Sequence, residues 1–313
     1  MKTRNLIQLG ALFLTVISIS LTGCKKDNIS NGNSDSSTLE QLSADENNME
    51  IVTNDALKDV ENVLSYQGGS LKSTETLPCH ATIDSAAVVN DSVTLYITYN
   101  GLNCKGTRNI TGKIEVKKKV GTHWGQAGAT IIMKYVDYAV TKVANGKTMT
   151  FNGTKTFENV SGGFIWQLGT TRTSVVDRVS GSMTITFDDG TTRIWNIARQ
   201  RTFTGIPGGN LLLTNDGFGT SGQYTSLVTW GTNRNGEDFY TQISQSVVSR
   251  EFCDWNPVSG IKIHQIPAKS KSATITFGFN SNNEPITGDE CPARYRIDWQ
   301  NGSHSGTAYL PLP

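Results

Sequence analysis

From about residue 75 to the C-terminus, apolar side chains recur at every second position, and this alternation constrains the fold more than any other feature of the chain. Val93, Leu95, Ile97 and Tyr99 alternate with Thr94, Tyr96 and Thr98. Ile114 and Val116 alternate with Lys113, Glu115 and Lys117, and Met183, Ile185 and Phe187 with Thr184 and Thr186. Ala273, Ile275, Phe277 and Phe279, then Ala293, Tyr295, Ile297 and Trp299, repeat the pattern. A period of two with one polar face belongs to half-buried strands of an antiparallel sheet. Between the runs lie Asn100-Gly101, Asn145-Gly146, Asn152-Gly153, Asp189-Gly190, Asp216-Gly217, Asn235-Gly236 and Asn301-Gly302. Such dipeptides accept the positive φ of tight hairpin turns. With no second helical period downstream, residues 70–313 read as an all-β body, an antiparallel meander or sandwich-like twisted sheet.

One helix precedes it. Met49, Val52, Ala56, Val60, Val63 and Leu64 recur at three- and four-residue spacing, separated by polar residues. Ser43 to Asn47 offers N-caps and Gly68-Gly69 a stop, so the spacing predicts an amphipathic helix over residues 45–67. Its stripe is expected on a sheet face, the alternative being an exposed helix that docks on a partner. Residues 25–44 are rich in Ser, Asn and Asp. That composition cannot bury enough apolar surface to offset chain entropy, so residues 24–44 read as a stalk with a reach of roughly 25 Å.

The first 23 residues have the layout of a secretory signal: Lys2 and Arg4, then an apolar run from Leu6 to Leu21. The run is shorter than the roughly 20 residues that span a bilayer. Leu21-Thr22-Gly23-Cys24 resembles the lipobox of bacterial lipoproteins. The resemblance implies cleavage before Cys24 and a diacylglyceryl plus an N-acyl chain on it, which together anchor a protein stably. The competing readings are an uncleaved membrane anchor and a soluble secreted protein. Lys25 does not resemble an inner-membrane retention signal, which favours the outer membrane. Lys25-Lys26 departs from the acidic run of surface-export tags, so periplasm-facing and cell-surface placement both stay open. Loss of Lys2 and Arg4 takes Lys+Arg from 28 to 26 against 27 Asp+Glu. A near-neutral body gives no electrostatic case for nucleic acid. Lys117-Lys118-Lys119 is expected on a solvated strand edge.

Export implies an oxidising compartment, and four cysteines remain besides Cys24. Residues 92–100 match residues 272–280 as a faint repeat, which suggests an internal duplication. Cys79 and Cys104 bracket the first copy and Cys253 and Cys291 the second. Three pairings are open in principle, and the repeat favours Cys79–Cys104 and Cys253–Cys291, each stabilising by about 3–4 kcal/mol in the chain-entropy model. Metal is the rival use. The chain lacks Cys-x-x-Cys, and His80, His123, His264 and His304 are scattered. No metal and no cofactor is therefore expected.

Lipobox, polar stalk, helix, long β body and cysteines near each end together resemble a group of Bacteroidota lipoproteins, which implies an all-β envelope protein and carries no activity with it. The sequence holds no Gly-x-Ser-x-Gly elbow, phosphate-binding loop or His-Glu-x-x-His. Asp188-Asp189 could pair for glycoside cleavage, but adjacent strand residues face opposite sides and Gly190 follows, so a turn is expected. Glu251 and Asp254 could approach His264. Among the tryptophans, Trp255 in a turn-like segment is the candidate for stacking on a sugar ring. The leading expectation is a lipid-anchored, non-enzymatic structural or binding module. Its partners are the membrane and either a glycan or another envelope protein. The alternatives are a carbohydrate-binding or carbohydrate-active β protein and a carrier of an apolar ligand, which needs an apolar cavity or an open concave sheet.

Overall fold

The computed structural model describes residues 34–66, 78–85, 88–208 and 210–312. Among these residues one α-helix, α1 (Ser34–Tyr66), precedes fifteen strands. These are β1 (Ala81–Ser85), β2 (Ser92–Leu102), β3 (Arg108–Lys119), β4 (Ala129–Lys142), β5 (Thr148–Asn159), β6 (Ser174–Phe187), β7 (Thr192–Ile206) and β8 (Asn210–Gly217). There follow β9 (Gly219–Ser221), β10 (Tyr224–Thr232), β11 (Asp238–Arg250), β12 (Pro257–Ile266), β13 (Lys271–Phe279), β14 (Arg294–Asn301) and β15 (His304–Pro311). All belong to one antiparallel sheet that runs in sequence order from β1 to β7 and from β10 to β15. β8 pairs with the second half of β7 and the end of β11, while β10 pairs with the first half of β7. The alternating patterns of the sequence become this meander because each hairpin buries one face of its strands.

Four of the seven turn dipeptides lie in turns. Asn100-Gly101, Asn152-Gly153 and Asp216-Gly217 instead lie within β2, β5 and β8. Gly153 shows why. At φ +140°, a Cβ there would run into the Ser182 carbonyl of β6, so the absent side chain lets two strand backbones approach and the sheet curl. Gly112 does the same against Asp137, where the β3–β4 register slips by a bulge.

The concave side of this curled sheet is filled by α1, which at 33 residues is about 50 Å long. Met49, Val52, Ala56, Val60 and Val63 are all buried in the main core, with Leu64 packed against it. The expected stripe is thus on the sheet. The helix begins earlier than its spacing predicts, and residues 34–44 are helical rather than stalk. Leu39 and Leu42 extend the apolar stripe one turn at a time into the core, and Ser36 and Ser43 are buried beside them. Ser37, Gln41, Asp55, Lys58 and Asn62 mark the single exposed stripe. Residues on the helix flanks bond to one end of the sheet: Thr38 to Lys271, Asp45 to Arg234, Asn48 to Lys142 and Asp55 to Arg108. Those partners lie at the start of β13, in the β10–β11 turn, at the end of β4 and at the start of β3. The helix therefore crosses the strands near one rim, and the tips of the opposite rim enclose a second small cluster of Leu168, Val175, Phe203, Leu211 and Leu213.

Both expected disulfides are present, Cys79–Cys104 and Cys253–Cys291, closing separations of 25 and 38 residues. The repeat maps onto β2 and β13, near opposite ends of the strand order. Lys117-Lys118-Lys119 does not sit on a sheet edge. It ends β3, an inner strand paired with β2 and β4, and the sheet's edges are β1 and β15. The signal segment, Cys24, residues 25–33 and Gly68-Gly69 lie outside the described residues.

Candidate functional site

The feature that sequence patterning does not prepare for is a buried layer of charge between α1 and the sheet. Asp45 and Glu46 are neighbours on the helix and Glu50 lies one turn on, on the flank that faces β7, the β10–β11 turn and β12. On β7 the inward positions of the period-two pattern are Arg193, Trp195, Ile197, Arg199, Arg201 and Phe203, so three arginines point to the core side. The side chain of Arg193 is 0% exposed and donates to Glu46 at 2.6 Å. The other Glu46 oxygen accepts from the Thr229 hydroxyl at 2.6 Å. Arg199 donates to Glu50 at 2.6 Å, and Lys262 approaches its second oxygen at 3.5 Å. Arg234 grips Asp45 through two nitrogens at 2.8 and 2.6 Å while its guanidinium lies over the Phe187 ring. Arg201 and Asp177 close their own two-pronged pair at 2.6 and 2.7 Å. Charges removed from water survive only when paired and hydrogen-bonded in this way.

The electrostatics follow from that geometry. Burial raises the pKa of Glu50, but Arg199 and Lys262 outweigh it and hold the carboxyl at about 2. Burial, with Lys262 and Arg193 adding to it, lowers His264 to about 3, so its imidazole is neutral and shares a 2.8 Å hydrogen bond with Thr241. Burial drives Lys155 well below its ordinary value, with Arg199 the next cause; its Nζ lies 4.6 Å from the Trp195 ring centre. Farther along the helix, burial raises Asp59 to about 6 even though it accepts from the Tyr99 hydroxyl at 3.2 Å. Each carboxylate of the layer is held by a cation, an arrangement that fixes the helix rather than presenting an acid and a base to a substrate.

The residues singled out by sequence are not brought together. His264 sits in the layer, while Glu251 and Asp254 lie beyond the far end of β12, about 23 Å along the strand from it. Asp188 and Asp189 form the β6–β7 turn, where Asp189 bonds Thr191 and Arg234. Trp255 is 41% exposed, with its ring edge over Phe203 at 6.4 Å between centres. Trp166, stacked on Phe164, is more exposed at 68%. No group of three or more His, Cys, Asp or Glu able to hold a metal ion occurs among the described residues. The concave face that an apolar ligand would need is occupied by the helix. The missed residues did leave a signal: Arg193, Arg199 and Arg201 share the strand parity of Trp195, Ile197 and Phe203, and Asp45-Glu46 flanks the helical stripe. No helix among the described residues is long and apolar enough to cross a membrane. No family model matches the chain, and no known relative or solved structure is significantly similar to it.

Proposed function

We propose that the protein is a lipid-anchored component of the cell envelope, tethered to the outer membrane through Cys24 and acting as a non-enzymatic structural or binding module. The observation that carries this reading is the place of α1. α1, the first described element after the lipobox-like Leu21-Thr22-Gly23-Cys24, is packed into the core and held by buried ion pairs, so a tether at Cys24 would attach to the body through its core helix. Metabolic labelling with a fatty-acid analogue and detergent phase partition test it. The wild-type chain is expected to take up label and enter the detergent phase, and Cys24→Ser to do neither. A wild-type chain that stays unlabelled in the aqueous phase refutes the reading.

A second reading, glycan binding, is supported by the exposed rings of Trp166 and Trp255, since flat aromatic faces stack on sugars. Retention of the wild-type body on a glycan array, lost in Trp166→Ala or Trp255→Ala, is the expected result. An array with no bound spot removes it.

A further inference from the structure

The two edges of the sheet are unlike. β1 is five residues long, carries the exposed carboxylate of Asp84 and is pinned near its start by Cys79–Cys104. Short edge strands and edge charges are devices by which sheets avoid pairing with one another. β15 has neither. It runs for eight residues in unbroken register with β14, and the Trp299 ring fills the space where Gly306 lacks a side chain. Among the described residues it pairs with no strand but β14. Residues 299–313 contain no Asp, Glu, Lys or Arg. The nearest charges, Arg296 and Asp298 on β14, are paired to each other at 2.8 Å. Proline enters β15 only at its last position, Pro311, so residues 304–310 keep every backbone N–H. A strand edge of this kind is a template for another strand. Its own copy suits it best. Antiparallel pairing about a two-fold axis at Thr307 sets Ser305 against Tyr309, Gly306 against Ala308 and Thr307 against itself. Like charges directly opposite destabilise such a pair, and this strand has none. Gly306 and Ala308 lie opposite the core-side residues Trp299 and Ile297, and they are small enough for the two concave walls to join. A head-to-tail contact with the next copy's β1 would match eight residues with five and would meet Asp84.

We propose that β15 is a dimerisation edge, at which a second copy of this chain adds its own β15 antiparallel. The contact is two-fold and closed, so it makes a dimer and does not propagate. Directly opposed residues of an antiparallel pair have Cα atoms about 4.5–5.5 Å apart, within reach of a disulfide. Thr307→Cys in the full chain, treated with a mild oxidant, is therefore expected to give a band of twice the chain mass on a non-reducing gel, lost on reduction. Thr130→Cys, exposed on the inner strand β4, is expected to stay at single mass. Ser305→Cys and Tyr309→Cys cover a shifted register. If none of the three β15 variants dimerises beyond the Thr130→Cys level, or if the product has the mass of a different partner, the proposal is overturned. A second measurement uses no cysteine. Sedimentation of the detergent-solubilised chain is expected to give a two-chain protein mass for the wild type and a one-chain mass for Thr307→Lys, which sets two ammonium groups against each other. A one-chain mass for the wild type at every concentration, or a two-chain mass that Thr307→Lys leaves unchanged, also overturns it.

Discussion

Replacing Arg193 by methionine is the sharpest test of the charge layer. The guanidinium is fully buried and holds Glu46, whose side chain is only 6% exposed. After the change, Glu46 keeps the Thr229 hydroxyl but loses its counter-charge, while Asp45 stays with Arg234. Removing one partner of a buried ion pair costs about 3–5 kcal/mol, because an uncompensated charge is left in a low-dielectric interior. The arginine also lies 4.6 Å from the Phe239 ring centre, a contact methionine partly restores. For a body of this size the loss corresponds to a drop of about 10 °C in the unfolding midpoint. Urea unfolding followed by tryptophan fluorescence reads it, provided the slope is unchanged between variants. The double variant Arg193→Met, Glu46→Gln removes both charges and is expected to recover most of the stability, giving a coupling of several kcal/mol. A single-variant cost below about 1 kcal/mol, or a double variant as unstable as the sum of the singles, refutes the reasoning.

Three further outcomes follow from the same packing. Met49→Ala, in the fully buried stripe of α1, is expected to cost about 2–5 kcal/mol in urea unfolding. His264 has a folded pKa of about 3 against an ordinary 6.5; since a depressed pKa leaves the unfolded chain binding the proton first, stability falls as pH drops from about 6.5 toward 3. That slope should be missing in His264→Gln, which stability measured across the pH range checks. Asp59 behaves oppositely. Its folded pKa of about 6 lies above the ordinary 3.8, so its ionisation destabilises the fold as pH rises through that window. Asp59→Asn is expected to stabilise the protein at pH 7 by about 1–2 kcal/mol and to leave stability at pH 3.5 nearly unchanged.

Element type was legible wherever one periodicity held. The runs at 93–99, 183–187 and 273–279 name their strands because one face of each is apolar without exception, and the helix stripe from Met49 to Val63 names its helix for the same reason. Both disulfides were legible from the repeat that their cysteines bracket. The helix start was not, because Ser36 and Ser43 belong to the buried face while carrying the composition of a solvated linker. Asn-Gly failed as a turn signal at 100–101 and 152–153. The same lack of a Cβ that permits a tight turn also admits the His80 side chain against Gly101 and the β6 backbone against Gly153, and local sequence does not distinguish these uses. The site was hidden by a rule that is usually sound, namely that arginine and glutamate lie outside. It fails here because the charges on two elements far apart in sequence neutralise one another only after the fold brings them together.

That neutralisation has a direction. Residues 34–66 carry eight carboxylates and the single cation Lys58, whereas residues 67–313 carry 23 Lys and Arg against 18 Asp and Glu. An acidic helix is thus held by a basic sheet. Buried ion pairs contribute little net stability compared with apolar packing of the same volume. Their effect is on placement: a helix sliding by one turn in the groove would keep most of its Leu, Val and Ala contacts, but would leave Glu46 or Glu50 facing a hydrocarbon wall. The apolar stripe makes the helix bury itself, and the charges decide where.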